Sequence, residues 1–201
     1  MARPPSTAEE VARTRTALLD AAQLLYEDGG ADAMSFRAIA TSAGCSHSKP
    51  YSYFDSKADL VDALRIRSYE MLYERLSMAA ALHEDPIDSL RELAEAYVYL
   101  GVDRPRMYAL LYSDEGRMSE DTAALLDAKT AALGICRDVI AEAADAGSLD
   151  LANDPFTSAH VFWAGAHGLV ELYLGGFLVV GRSIDELLPS LFETLIAGLS
   201  T

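Results

Sequence analysis

The stretch Ser35-Phe36-Arg37-Ala38-Ile39-Ala40, then Ala43-Gly44-Cys45, then Ser46-His47-Ser48-Lys49-Pro50-Tyr51-Ser52-Tyr53, decides the fold. It reads as two short helices joined by a glycine turn. Ser35 is a natural N-cap, and Phe36, Ile39 and Ala40 share one face at helical spacing. Gly44 then breaks the chain, and Ser46 can cap a second helix over residues 46–53. Pro50 lies close enough to that cap to be tolerated, so the second helix must be very short. Two helices of this size have the dimensions of a helix-turn-helix, whose second helix enters a major groove. Ser46, His47, Ser48 and Lys49 then stand where short side chains reach base edges, on a helix end that favours phosphate. Taken alone, the same residues also describe an ordinary short surface helix.

Helical spacing continues in both directions. Upstream, Leu18, Ala21, Ala22 and Leu25 predict a first helix over residues 9–27, stopped by Gly29-Gly30. Downstream, Ser56 opens a helix over residues 56–82 along Leu60, Leu64, Met71, Leu72 and Leu76. At 1.5 Å per residue it would be about 39 Å long, enough to connect two functional regions. Further helices are expected over residues 88–102, 106–113, 119–146, 155–177 and 183–199. Asp154-Pro155 supplies a cap and an N1 proline for the penultimate one. The last carries an unbroken stripe from Ile184 to Leu199, and Pro189 within it predicts a kink or a later start. No run alternates for long enough to make a strand. The chain reads as all-α.

Charge divides it unevenly. The net charge is −15, which by itself argues against nucleic acid or anionic membranes. Residues 1–60 carry only −2 of it, whereas residues 61–201 carry −13, and residues 33–57 are locally +2 through Arg37, Lys49 and Lys57. The acidic remainder would favour a cationic effector. Cys45 and Cys136 have no ligand or disulfide spacing, and residues 1–16 lack a signal-like apolar run. The apolar stretch 155–181 contains His160, His167 and Glu171, which are costly in lipid. A cytoplasmic protein is expected, with no membrane partner.

Residues 35–40, Gly44 and the string Pro50-Tyr51-Ser52-Tyr53-Phe54-Asp55-Ser56-Lys57 closely resemble the N-terminal domain of tetracycline-repressor (TetR/AcrR) family regulators. The resemblance spans about residues 11–62. It implies a three-helix helix-turn-helix DNA-binding domain over residues 1–55 and a helical effector-binding and dimerisation domain over residues 56–201. It implies a ligand-responsive repressor that binds a palindromic DNA operator as a homodimer through the last two helices and is released by a small-molecule effector. By the same resemblance Arg37, Tyr51, Tyr53 and Lys57 hold phosphates, Ser46, His47, Ser48 and Lys49 face bases, and Phe54 is core. Trp163-Ala164-Gly165-Ala166-His167-Gly168-Leu169 is similar to the WHG-type C-terminal domain of some members.

Tyr97, Tyr99, Met107, Tyr108, Tyr112, Phe162, Trp163 and His167 are candidates to line an apolar pocket with polar tips, or else to pack as core. His160, His167 and Glu171 share a helix face and are read as satisfying one another or neighbouring backbone rather than a metal. Gly165, Gly168, Gly175 and Gly176 allow close helix approach, in packing or dimerisation. No nucleophile elbow, phosphate-cradling loop or metal-ligand motif appears. The expectation is therefore a regulator rather than an enzyme or ligand carrier, with no cofactor and no metal.

Overall fold

Serine, threonine and aspartate caps set where the helices begin. The computed structural model describes residues 7–112 and 121–200. Among these the α-helices are α1 (Ala8–Gly29), α2 (Phe36–Ser42), α3 (Lys57–Ala80), α4 (Pro86–Asp103), α5 (Pro105–Tyr112), α6 (Ala123–Asp145), α7 (Pro155–Leu174) and α8 (Ile184–Leu199). Thr7 and Ser183 close reciprocal capping boxes with Glu10 and Glu186. Ser35 accepts from the Ala38 N–H and Ser56 from the Asp59 N–H, each at 3.1 Å. Asp85 and Asp154 each cap a helix whose first residue is proline. The fold is all-α, as the sequence predicts; no strand occurs among the described residues.

The segment between α2 and α3 corrects one expectation. Residues 46–53 do not form an α-helix. Pro50–Ser52 is a single 3-10 turn, preceded by a turn that the Lys49 N–H closes on the Ser46 carbonyl at 2.9 Å. Pro50 has no N–H for that carbonyl, and the N–H groups of Tyr53 and Phe54 both fall on the Pro50 carbonyl at 3.0 Å. Ser46 caps nothing; its hydroxyl lies 3.4 Å from that of Ser48. Gly44 does end α2 as expected. At φ 66° it completes a Schellman turn, with Cys45 N–H on the Ala40 carbonyl and Gly44 N–H on that of Thr41.

One further boundary moves, and one expected irregularity does not occur. α7 stops at Leu174 rather than 177, because Gly176 at φ 69° lets Phe177 N–H reach back to the Leu172 carbonyl at 2.8 Å. α8 begins at its capping box and runs through Pro189, which lies on the exposed face of the helix. The expected starts and ends at Ser113 and Ser119 lie outside the described residues.

α3 belongs to both hydrophobic cores. Leu60, Val61 and Leu64 pack with Leu18, Ile39 and Phe54 in a small N-terminal core. Tyr69, Leu72 and Leu76 pack in a larger one with α4, α6, α7 and α8. The small core therefore extends past residue 55 and also takes Leu110 from α5. α4 and α7 cross closely at Gly101, where a Cβ would stand 2.3 Å from Val170 Cγ1. Gly101→Ala should cost about 1–3 kcal/mol by overpacking. Gly134→Ala, whose Cβ would meet only Arg137 at 3.6 Å, should instead gain up to about 1 kcal/mol of helix propensity. Urea denaturation of the two variants checks this contrast of sign.

Candidate functional site

The N-terminal module turns a cluster of polar side chains to solvent. Arg37, Ser46, His47, Ser48, Tyr51 and Lys57 are exposed, and Lys49 and Tyr53 are half-buried. Phe36 holds Tyr51 edge to face at 4.7 Å between centroids, so the phenol is fixed although 66% exposed. Lys49 Nζ lies 5.3 Å above the Tyr53 ring. Lys57 Nζ donates to the Ala31 carbonyl at 2.7 Å, tying the start of α3 to the turn after α1. Phe54 is 1% exposed and packs in the small core. These side chains sit on one turn and the two helix starts that flank it.

A cavity of about 420 Å³ opens in the larger core between α3, α4, α6 and α7, with Leu111 and Tyr112 of α5 also on its wall. Of the sequence candidates, Tyr97, Tyr112, Phe162 and Trp163 line it. Met107, Tyr108 and His167 do not, and Tyr99 instead donates to Asp185 at 2.5 Å on the other side of α4. Helical periodicity identifies a buried face, but a buried face holds both cavity wall and the layer behind it.

A hydrogen-bond cluster ties the wall residues Tyr97, Tyr112 and Trp163 to Tyr108 and His167 behind them. Trp163 Nε1–H donates to Tyr97 Oη at 2.9 Å, and Tyr112 Oη lies 2.5 Å from the same oxygen. His167 Nδ1 lies 2.5 Å from Tyr108 Oη and 3.2 Å from Tyr97 Oη. Burial raises the pKa values of Tyr97, Tyr108 and Tyr112 far above the ordinary phenol value, so each keeps its proton to donate. Burial also lowers the His167 pKa, against the raising influence of Glu171, so the imidazole is neutral and Nδ1 accepts. Of the two partners expected for His160, another side chain of the set or neighbouring backbone, it takes the backbone. His160 Nδ1–H donates to the Phe156 carbonyl at 2.8 Å.

Arg65, Tyr69, Lys129 and Phe156 also line the cavity and were not singled out from the sequence. Tyr69 donates to the Leu111 carbonyl at 3.0 Å, and burial pushes its pKa up to about 12 despite the nearby Arg65. Arg65, 4% exposed in its side chain, places Nη1 3.4 Å from Asp62 and 3.7 Å from Asp121. Lys129 Nζ is 2.5 Å from Asp121 Oδ2. Burial pushes the Cys136 thiol up to about 12, which makes it inert as a nucleophile. Among the described residues no group of three His, Cys, Asp or Glu side chains is placed to hold a metal. Nor is any described helix long and apolar enough to cross a membrane.

Comparison with known families agrees with this architecture. Residues 90–197 match the family described as "Tetracyclin repressor-like, C-terminal domain", and residues 18–64 match "Bacterial regulatory proteins, tetR family". The chain belongs to the tetracycline-repressor family. This TetR-family transcriptional regulator is 26% identical over 117 residues to the HTH-type transcriptional repressor KstR2 of Mycolicibacterium smegmatis. That match covers 58% of this chain and spans 57% of the relative's length. A solved protein of unknown function from Rhodococcus sp. RHA1 is 28% identical, with a TM-score of 0.82 over 94% of this chain and 96% of its own. The regulator FadR from Bacillus subtilis, solved in complex with stearoyl-CoA, shares the fold at a TM-score of 0.71 and 16% identity, over 91% of this chain and 98% of its own.

The neutral state of His167 has a consequence for stability. The unfolded chain takes up a proton near the ordinary value of 6.5 that the folded chain refuses. This contribution is complete above that pH and is lost as pH falls from it through the lower pKa of the folded chain. His167→Gln should flatten the acid side of the stability profile below pH 6.5, as read by urea denaturation across a pH series.

Proposed function

We propose that the chain is a cytoplasmic, ligand-responsive repressor that binds a palindromic DNA operator as a homodimer and releases it when a small molecule fills the cavity. The observation that carries this reading is a pair of adjacent residues on α5. Leu110 packs in the N-terminal core while Leu111 lines the cavity. A ligand that displaces Leu111 therefore displaces a side chain of the DNA-binding module. Arg104 and Arg106 reinforce the link. Arg104 pairs with Glu27 at 2.5 Å, and Arg106 donates to the Glu27 and Asp28 carbonyls at the end of α1.

DNA binding is assigned to residues 1–55, with the first turns of α3 completing that core, and effector binding and dimerisation to residues 56–201. Arg37, Tyr51, Tyr53 and Lys57 hold phosphates; Ser46, His47, Ser48 and Lys49 read bases from the turn ahead of Pro50. The dimer forms through α7 and α8, a reading supported by exposed Val161, Leu172, Tyr173 and Leu174 on α7. Two such reading turns must lie roughly 34–36 Å apart to enter successive major grooves. An effector that prefers another spacing shifts the population away from the DNA-bound state, and DNA weakens effector binding by the same factor. The similarity to KstR2, a named repressor, favours repression.

Selection of bound fragments from a random DNA pool, followed by gel shifts on the selected palindrome, tests this reading. Arg37→Ala and Tyr51→Phe should weaken all sequences alike, and Arg37→Ala should reduce the slope of log K against log salt by about 0.9 per subunit. His47→Ala and Lys49→Ala should instead change which sequences are preferred, by about 1–3 kcal/mol at the bases they read. Uniform loss in all four variants would contradict the assignment of base-reading residues.

A further inference from the structure

The charged side chains on the cavity wall are of the opposite sign to the chain's excess, although aspartates stand beside both of them. The whole chain carries −15. Yet among the described residues of the cavity wall, the only formally charged side chains are Arg65 and Lys129, and no carboxylate is among them. The cationic effector expected from the overall charge would meet two cations there.

His160 and Thr130 on this wall each donate to a backbone carbonyl of their own helix, and the phenols are largely engaged. Tyr69 is engaged with the Leu111 carbonyl, and Tyr97 and Tyr112 are engaged with each other and with Trp163. Arg65 differs. Its side chain is 4% exposed, and its Nε is buried with no hydrogen-bond partner. Its contacts to Asp62 and Asp121, at 3.4 and 3.7 Å, use Nη1 alone and are long for charge-assisted bonds, which run near 2.7–2.9 Å. A guanidinium so placed retains an edge that binds an anionic oxygen side-on. Lys129, 28% exposed, stands on the same wall; its Nζ is paired with Asp121 Oδ2 at 2.5 Å on one side and lies 6.0 Å from the Tyr69 ring centroid. The remaining surface is apolar, with Leu72, Leu76, Leu93, Phe162 and Trp163 prominent.

We propose that the cavity takes an organic acid with an apolar body, its carboxylate held by Arg65 and Lys129 and its body against the leucines, Phe162 and Trp163. This rests on the reading of the cavity as the effector site and adds the chemical class of the effector. Arg65 follows Leu64, the last α3 residue of the N-terminal core, so the acid group lies at the end of the cavity nearest the DNA-binding module.

The chain contains one tryptophan, Trp163, and it lies on the cavity wall, so its fluorescence reports occupancy directly. The full chain is titrated with phenylbutanoate, its methyl ester and phenylbutylamine, following Trp163 emission and melting temperature. The acid should bind at least tenfold more tightly than the ester, and the amine most weakly. Arg65→Met should remove most of the acid's preference over the ester while leaving the ester unchanged, and Lys129→Met should reduce the preference by a smaller factor. An ester that binds as well as the acid overturns the acid assignment and leaves the cavity reading standing. Absence of any response from all three overturns both. The comparison on the unaltered chain decides the matter even if Arg65→Met fails to fold.

Discussion

The structure depends on one helix being shared between two cores at the position of a buried charge. α3 contributes Leu60, Val61 and Leu64 to the small core and Tyr69, Leu72 and Leu76 to the large one, with Arg65 between them. A helix cannot bend cheaply within a turn that lacks proline or an inserted side chain. Movement at Tyr69 is therefore carried to Leu64 as rotation or translation of the whole element. Removing a partner from a buried guanidinium costs several kcal/mol, so Asp121 constrains how α3 can shift against the start of α6.

α5 supplies the second connection, and its shortness is part of its use. Its eight residues place Leu110 and Leu111 in different cores. Arg104 and Arg106, at its entrance, grip the carbonyl end of α1, where helix-dipole and hydrogen-bond contributions act together. Two independent elements thus join cavity to DNA-binding module. A population shift needs differential affinity of about 5.5 kcal/mol to move from 1:99 to 99:1. Apolar burial at about 25 cal/mol per Å² inside a cavity of this size can provide a good part of that.

Legibility from sequence followed the range of the interactions concerned. The caps at Ser35 and Asp154, the helix starts at Ser56 and Ser183 and the turn at Gly44 are local and fall where the sequence predicts, whereas the cap expected at Ser46 does not form. The short form of the segment after Ser46 was legible through Pro50, but its collapse into one 3-10 turn depends on where the Tyr53 and Phe54 N–H groups go, which is a tertiary outcome. α7 ends at Leu174 because Gly176, not Phe177, adopts the left-handed turn. Tyr108 and His167 read as pocket residues because spacing gives the face and not the depth. Arg65 was missed because a charge on a long helix reads as a solvated face. Its spacing carried a usable signal: it falls four residues after Val61 and seven before Leu72, on the buried stripe of α3.

Net charge is the weakest guide of all to the cavity, and the reason is range. Surface carboxylates act on a ligand through solvent, where screening removes most of their influence beyond about 8 Å at physiological ionic strength. A buried cation at contact distance acts at an effective dielectric near 20, worth about 4 kcal/mol at 4 Å before desolvation. An arginine whose Nε has no partner therefore counts for more than distant surface acids in choosing what enters, even with Asp62 and Asp121 beside its Nη1. The same acids still act where range is long: −13 of the charge lies beyond residue 60, away from the exposed cluster around Arg37 and Lys49. They weaken non-specific attraction to the duplex and leave DNA affinity to the few contacts the N-terminal turn can make.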